Sequence, residues 1–307
     1  MCGIAGYVGN NAPNIEYLTY ITSRNTTRGT DACGLFVDGN IHYGLNKESD
    51  FDDYISNNVF PNPSENFTIL THTRKASTGM SKSEWTAHPH GIYVDDSSDS
   101  NNFTYKLVGV HNGTLTGWRE LAKQYDLDVT YYNTDSRVLF KIIADHGPEE
   151  ILLKYKGNAT IMYTDPREPN SLWIFKGKHE TYGESERPLY YWYDEKSDGY
   201  YFGSMKLPLC AIAKDDRDSV AFFPTNTLTK FVGSEVVEEI EIDRETEHRS
   251  SFVRNYNSYD YGQYDHSFNR YPRKKAGGVE RTVSVSTPQL NQLFKVADRM
   301  VDLLSVS

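Results

Sequence analysis

The second residue of the chain is a cysteine, and this position gives it a specific chemical option. Removal of Met1 would leave a thiol and a free α-amino group on Cys2. An α-amine has a reference pKa of about 7.7–8.0, so near neutral pH it can accept the thiol proton and generate a nucleophile. Cys2 alone does not identify such a site, because a buried structural cysteine is the ordinary alternative.

Five further short motifs follow Cys2 and supply other chemically useful side chains. In chain order the six motifs are CGIAG at 2–6, RGTDACG at 28–34, HTRKASTG at 72–79, AHP at 87–89, VHNG at 110–113 and TDS at 134–136. Hydrolysis of a side-chain amide needs a nucleophile, a base and donors that stabilise a tetrahedral oxyanion. Each motif alone is weak evidence for a function, and the occurrence of all six in one chain is stronger evidence.

Taken together, these motifs resemble the glutaminase domain of class II glutamine amidotransferases, a family of N-terminal-nucleophile enzymes. The resemblance implies that Cys2 attacks the side-chain carbonyl of L-glutamine, while the Asn112 amide and the Gly113 backbone N–H form the oxyanion hole. It also implies that Arg74 clamps the substrate α-carboxylate in a bidentate manner and that Asp135 pairs with the α-ammonium.

Three more residues receive supporting roles from the resemblance. Arg28 is expected to organise the Cys2 loop, and His88 and His111 to orient groups around the pocket. The alternatives are ordinary structural pairings: an Arg28–Asp31 ion pair in a turn, and histidines satisfied by backbone carbonyls.

A metal site is a rival use of the histidines. His72, His88, His90 and His111 lie within 40 residues, but HExxH and Cys/His zinc spacings are absent from the sequence. We therefore predict neither a metal nor another cofactor.

The elements that must position these residues read as one large mixed α and β domain over residues 2–243. The fold that the resemblance implies is α+β, a four-layer αββα sandwich of the N-terminal-nucleophile hydrolase type, with Cys2 at the end of a central strand. The patterns predict a first strand in CGIAGYVGN, residues 2–10, that closes on a Gly-Asn turn, and further strands at 67–73, 105–111, 159–163, 172–175, 200–202 and 236–242. They also predict a helix through Ile15, Leu18 and Ile21, and another capped by Thr134.

The composition excludes several classes of protein. The 307 residues carry a formal net charge of −10, which disfavours nucleic acids and anionic membranes. The sequence has no apolar run of about 20 residues and no secretory signal pattern, so no membrane association is expected. Three widely spaced cysteines make a poor disulfide framework, and a reducing cytoplasm is the predicted compartment.

The character of the sequence changes after residue 243. Residues 244–286 are rich in Tyr, Asn and Arg and predict a flexible linker, whose cations at 270–275 would permit at most a weak nucleic-acid contact. Residues 287–305 predict an amphipathic C-terminal helix that docks on its own domain, on a second copy to form a homo-oligomer, or on a partner.

The 64 residues from 244 to 307 are too few and too polar for a fused synthase. The leading hypothesis is therefore a glutaminase that forms a Cys2 thioester and releases glutamate, with ammonia passed to a partner synthase on another chain. Two alternatives stay open at this point. One is a hydrolase of another γ-glutamyl compound, and the other is a non-catalytic scaffold in which Met1 is retained.

Overall fold

The first strand of the chain forms the centre of a large β-sheet. This is seen in a computed structural model that describes residues 2–44, 63, 66–75, 86–94, 105–155, 157–178 and 187–243. The described residues all belong to one compact unit, Met1–Pro272. The predicted linker (244–286) and C-terminal helix (287–305) lie outside the described residues.

The described residues form thirteen strands and five α-helices. The strands are β1 (Gly3–Gly9), β2 (Ala32–Val37), β3 (Asn40–Gly44), β4 (Ile69–Arg74), β5 (His90–Tyr93), β6 (Tyr105–Asn112), β7 (Ala159–Thr164), β8 (Ser171–Gly177), β9 (Tyr190–Asp194), β10 (Gly199–Gly203), β11 (Ala221–Phe222), β12 (Thr227–Val232) and β13 (Glu235–Glu241). The helices are α1 (Ile15–Asn25), α2 (Trp118–Gln124), α3 (Asp135–His146), α4 (Pro148–Lys154) and α5 (Lys206–Ala213), with 3₁₀ turns at Thr26–Arg28 and Lys214–Ser219.

The strands make two antiparallel sheets. Sheet A has the order β11-β9-β10-β1-β4-β2-β3, and sheet B has the order β13-β12-β8-β7-β6-β5. In sheet A, β1 pairs with β10 on one side, where Ala5 faces Gly203, and with β4 on the other, where Gly3 faces Thr73. Both flanks of the strand that follows Cys2 are thus occupied.

Side-chain alternation along the strands sorts the core into three apolar layers. On β1, Ile4 and Val8 face sheet B, whereas Ala5 and Tyr7 face α1 and α5. On β6, Val108 and Val110 face sheet A, and a third cluster packs α2, α3 and α4 on the outer face of sheet B. Three apolar layers between helix, sheet, sheet and helix make the four-layer αββα arrangement.

Most of the predicted elements are present, and the bounds of the strands differ from the predicted bounds by one or two residues. The strand predicted to start at Phe67 starts at Ile69. The Phe67 and Thr68 amides donate to the side chains of Asn170 and Asn66 at 2.6 and 3.0 Å, so these two residues do not join the sheet ladder. The predicted Thr134 cap is confirmed, since its hydroxyl accepts from the Arg137 amide at 3.2 Å.

A membrane-crossing helix is not found: none of the helices in the described part of the chain is both long and apolar enough. Cys33 is buried within sheet A and belongs to the same apolar layer as Ala5 and Tyr7.

Candidate active site

Cys2 and Asn112 meet across the two sheets at one end of the inner layer. Cys2 continues the alternation of Ile4 and Val8, and Asn112 continues that of Val108 and Val110, so both side chains belong to the inner faces. The Asn112 Nδ2 donates to the backbone carbonyl oxygen of Cys2 at 3.0 Å. Residues 110 positions apart are therefore joined at the predicted nucleophile.

Arg28 holds the same carbonyl from the sheet A side. Its Nε donates to the Cys2 oxygen at 2.9 Å. Burial, followed by the nearby Arg187 guanidinium, lowers the pKa of Arg28, and the neighbouring Cys2 opposes that shift. The Cys2 Sγ is half-buried and lies 3.8 Å from the Lys75 carbonyl oxygen.

Two glycines allow the motif at 28–34 to pack against the other site motifs. A Cβ on Gly29 would clash with the Arg74 backbone, and one on Gly34 would clash with the His88 carbonyl oxygen. The Asp31 amide also donates to the Arg74 carbonyl at 2.9 Å. Glycine is therefore needed here because backbone segments approach each other closely.

Arg74 ends β4 with its side chain on the inner face, in the alternation of Leu70. The residue is buried, and its Nη1 has no hydrogen-bond partner. A buried guanidinium nitrogen without a partner is costly in a finished protein core. The arrangement suits a site whose anionic partner is a ligand.

Asp135 is the first residue of α3, and backbone groups fix its carboxylate. Oδ2 accepts from the Leu115 amide at 3.0 Å, and Oδ1 accepts from the Ser136 amide at 2.9 Å. An acidic side chain in the first helical turn is also favoured by the helix dipole. The described ion pairs do not include one between Asp135 and Arg74, so these two charges do not neutralise each other.

His111 points to the opposite face of β6 from Asn112 and bonds to the helical layer. Its Nδ1 is 2.9 Å from the Ser136 hydroxyl, and its Nε2 is 2.8 Å from the Tyr155 hydroxyl. The alternative, hydrogen bonds to backbone carbonyls, is wrong for this histidine, because both of its ring nitrogens bond to side-chain hydroxyls. Burial lowers the pKa of His111, whereas the nearby Asp135 raises it.

His88 belongs to a stack of three buried imidazoles beside Arg74, which we call the histidine stack (His72, His88 and His90). Ring centroids lie 4.2 Å apart for His72 and His88 and 4.3 Å apart for His88 and His90. The six ring nitrogens have no hydrogen-bond partner, so the backbone-carbonyl alternative is also wrong for His88. Burial lowers the pKa of His72 to about 3 and those of His88 and His90 well below 6.5. The positive charge of the nearby Arg74 lowers all three pKa values further.

The histidines also bear on the rival hypothesis of a metal site. Among the residues that the structure describes, no three His, Cys, Asp or Glu side chains are arranged to hold a metal ion. Desolvation instead leaves the stacked imidazoles neutral, which avoids repulsion of the adjacent Arg74 guanidinium.

Sequence reasoning missed three residues around the site. Ser136 and Tyr155 orient His111, and Arg187 lies close enough to lower the pKa of both Arg28 and His111. The Arg187 carbonyl accepts from Thr160 Oγ1 at 2.8 Å, and Thr160 is the cross-strand neighbour of Asn112. Ser136 was available as part of the 134–136 motif, whereas Tyr155 and Arg187 lie in no motif.

The chain is similar in sequence to two known aminotransferases. A glutamine–fructose-6-phosphate aminotransferase from Staphylococcus epidermidis is 34% identical over 190 residues, and one from Oceanobacillus iheyensis is 27% identical over 196 residues. Both alignments cover 58% of this chain and 29% of the relative, so the chain matches under a third of their length. No family model matches the chain.

The structural comparison concerns the fold. The glutamine phosphoribosylpyrophosphate amidotransferase of B. subtilis superposes with a TM-score of 0.55 at 16% identity, over 79% of this chain and 49% of that one. The two proteins therefore share the two-sheet fold. The resemblance to class II glutamine amidotransferases that the six motifs indicated is thus confirmed in sequence and in fold.

Proposed function

We propose that this protein hydrolyses the side-chain amide of L-glutamine through Cys2, once Met1 has been removed. The observation that carries the proposal is the 3.0 Å hydrogen bond from Asn112 to the Cys2 carbonyl. It joins the residue expected to donate to an oxyanion to the residue expected to attack. An amide NH₂ group has two hydrogens, so Asn112 can hold Cys2 with one and direct the other at the substrate.

The reaction follows from these positions. The Cys2 thiol passes its proton to the α-amine, and the sulfur forms a bond to the glutamine carbonyl carbon. Asn112 and the Gly113 amide stabilise the resulting oxyanion. The C–N bond then breaks as the amide nitrogen takes the proton and leaves as ammonia, giving a thioester. Water attacks the thioester, which releases glutamate and restores the thiol.

Selection of a free amino acid rests on Arg74 and Asp135. The unpartnered Arg74 Nη1 suits the α-carboxylate of glutamine, and the backbone-fixed Asp135 carboxylate suits its α-ammonium. Because the two residues do not pair with each other, a zwitterionic substrate can pair with both. A glutamine within a peptide chain lacks both terminal charges and is not expected to bind.

The acceptor of the ammonia is proposed to be a synthase on a separate chain. The described residues all belong to one two-sheet unit, so a second catalytic domain is not among them. The S. epidermidis relative is an aminotransferase by name, but the similarity covers only 29% of its length. It therefore supports the amide-nitrogen step more than any particular acceptor.

Intact-mass spectrometry with diazo-oxo-norleucine, an electrophilic glutamine analogue, tests the proposal. We expect native protein to lack Met1 and to gain one adduct, formed on Cys2 sulfur with loss of N₂. Cys2→Ala should gain none. Cys210→Ala is the matched control, since Cys210 is also half-buried, and it should still gain the adduct. Glutamate release from glutamine should be lost only in Cys2→Ala.

Retained Met1 with no adduct would overturn the proposal and favour the scaffold. An adduct that survives in Cys2→Ala would move the nucleophile elsewhere. Strong preference for γ-glutamyl amides over glutamine would instead establish the alternative hydrolase.

A further inference from the structure

A buried series of hydrogen bonds lies behind the candidate active site, on the face of sheet B that meets the helices. Tyr155 follows α4, and its hydroxyl is 2.8 Å from His111 Nε2. The other ring nitrogen, His111 Nδ1, is 2.9 Å from the Ser136 hydroxyl. That hydroxyl also lies 3.4 Å from Asp135 Oδ1. We call these four residues, Tyr155, His111, Ser136 and Asp135, the Tyr155 network.

We propose that Tyr155 is a positioning residue for the hydrolysis of the glutamine amide. Acting together with His111, its hydroxyl fixes the backbone of Gly113, so that the Gly113 N–H stays directed at the oxyanion. The proposal rests on the function proposed above, in which Gly113 is the second oxyanion donor. It assigns a role to a tyrosine that lies in none of the six motifs.

Gly113 packs directly against the hydrogen bond between Tyr155 and His111. A Cβ at position 113 would collide with both the Tyr155 hydroxyl oxygen and His111 Nε2. The α-carbon of Gly113 therefore rests on the two atoms that bond to each other. Gly113 is the first residue after β6, and glycine has the widest backbone freedom of any residue. This contact restricts that freedom at the point where the proposed oxyanion donor begins.

The Tyr155 network is well placed to act as a rigid support. His111, Ser136 and Tyr155 are only 2–4% exposed. Both ring nitrogens of His111 have a partner, and its ring meets the Tyr155 ring edge to face, with planes 87° apart. A hydroxyl can donate or accept, so the two hydroxyls satisfy a neutral imidazole in either tautomer. A buried polar network whose members are satisfied is stiff.

The two oxyanion donors differ in how they can be held. Asn112 is held through its own side chain, which donates to the Cys2 carbonyl at 3.0 Å. Gly113 offers only its backbone N–H and has no side chain that could anchor it. Oxyanion donors are effective when they are fixed before charge develops. The support of Gly113 must therefore come from its neighbours, and the two polar atoms that a Cβ there would strike belong to Tyr155 and His111.

Ser136 links the network to the proposed site of the substrate ammonium group. Its amide donates to Asp135 Oδ1 at 2.9 Å, and its hydroxyl bonds to His111. Asp135 is held a second time by the Leu115 amide at 3.0 Å. Loss of the Ser136 hydroxyl should therefore disturb His111 more than it disturbs Asp135, and kcat more than KM.

Steady-state kinetics of glutamate release by the full chain test the proposal. Tyr155→Phe keeps the ring and removes the hydroxyl. It should lower kcat about tenfold and leave KM within about twofold of wild type, because transition-state stabilisation is lost and substrate binding is not. Ser136→Ala should lower kcat about three- to tenfold, since it releases the other nitrogen of the same ring. Each rate is divided by the number of sites that diazo-oxo-norleucine alkylates, so that inactive protein does not lower kcat.

Two matched variants control for the loss of a hydroxyl elsewhere. Tyr125→Phe removes a tyrosine hydroxyl from the same helical layer, where it donates to Glu150 at 2.6 Å. Ser197→Ala removes a buried serine hydroxyl that donates to Asp194 at 2.7 Å, between β9 and β10. Both controls should keep the wild-type kcat per alkylated site. Thermal unfolding establishes that every variant is folded at the assay temperature.

Three results would overturn the role of Tyr155 while wild type is active. They are an unchanged kcat in both Tyr155→Phe and Ser136→Ala, a rise in KM alone for Tyr155→Phe, and an equal fall of kcat in Tyr125→Phe. If Tyr155→Phe does not fold, the kcat of Ser136→Ala decides. A wild-type protein that neither gains the adduct nor releases glutamate would instead overturn the function proposed above, and this proposal with it.

Discussion

The two sides of the candidate active site differ in how completely the protein satisfies its own polar groups. At the nucleophile, the Cys2 carbonyl accepts from both Arg28 and Asn112 at about 3 Å. At the other side, the Arg74 Nη1 and the six nitrogens of the histidine stack are buried and have no partner. The polar groups around Cys2 have hydrogen-bond partners without substrate, whereas those around Arg74 do not.

Under the proposed function, this difference separates two tasks, which are stabilising a transition state and binding a substrate. Donors for a transition state act best when they are fixed before the substrate arrives, because no reorganisation is then needed during the reaction. Binding groups can instead leave a charge unpaired until the substrate supplies its partner. The price of that arrangement is stability, since a buried polar group without a partner costs about 1–3 kcal/mol.

The largest expected effect is at the completed side. Asn112→Ala should lower kcat by about 10²–10³-fold, equivalent to about 2.7–4 kcal/mol, with little change in KM, because an oxyanion donor is lost. Glutamate release by steady-state kinetics measures it. Asn40→Ala is the control, since Asn40 is exposed and donates only to the Asp38 carbonyl. A change confined to KM would show that Asn112 acts in binding.

A smaller effect of a different kind is expected at the unsatisfied side. Arg74→Lys should raise KM for glutamine by about 10–100-fold, as loss of about 1.5–3 kcal/mol from a charged bidentate contact predicts, with a lesser change in kcat. Arg119→Lys, on the exposed face of α2, controls for the substitution itself. Arg74 would be excluded as the carboxylate clamp if KM stayed at the wild-type value.

The third prediction concerns stability against pH, where the effect of each single histidine is the smallest of the three. The pKa values of the histidine stack are lowered by burial, so below pH 6.5 the unfolded chain takes up protons that the folded chain does not. The free energy of unfolding should therefore fall by about 1.4 kcal/mol per stacked histidine for each pH unit below about 6.5, and be flat above it. For His72 this loss continues down to its folded pKa of about 3.

Urea unfolding between pH 7.5 and 5.5 measures this slope. His90→Gln should reduce the slope by one histidine's share within that window. Equal slopes for the variant and wild type would mean that His90 takes up protons in the folded protein, which would contradict its burial as a neutral group.

The sequence was most informative where a motif and a strand pattern coincide. Alternation along β1 and β6 gives Cys2 and Asn112 an inner face, but only the resemblance to a known family indicated that those faces oppose each other across 110 residues. The Thr134 cap was predictable because an N-cap is a local interaction between adjacent residues.

Other features depend on contacts that no local pattern encodes. The edge strand β3 and the two-residue β11 are too short to show a period, and α5 is apolar on nearly all sides and contains Pro208. Tyr155 and Arg187 reach the site from elements far from its motifs. The ring nitrogens of His88 have no hydrogen-bond partner because several elements of the fold bury them, and the sequence alone does not show this burial.

The pairing of β1 has a consequence for synthesis of the chain. Ala5 pairs with Gly203, so one flank of β1 stays open until nearly 200 further residues have left the ribosome. Such distant pairings form late, because the entropy lost in closing a long loop must be overcome before its contacts can form. Under the proposed function, an aminopeptidase that acts during synthesis would therefore reach Cys2 before the pocket around it is assembled.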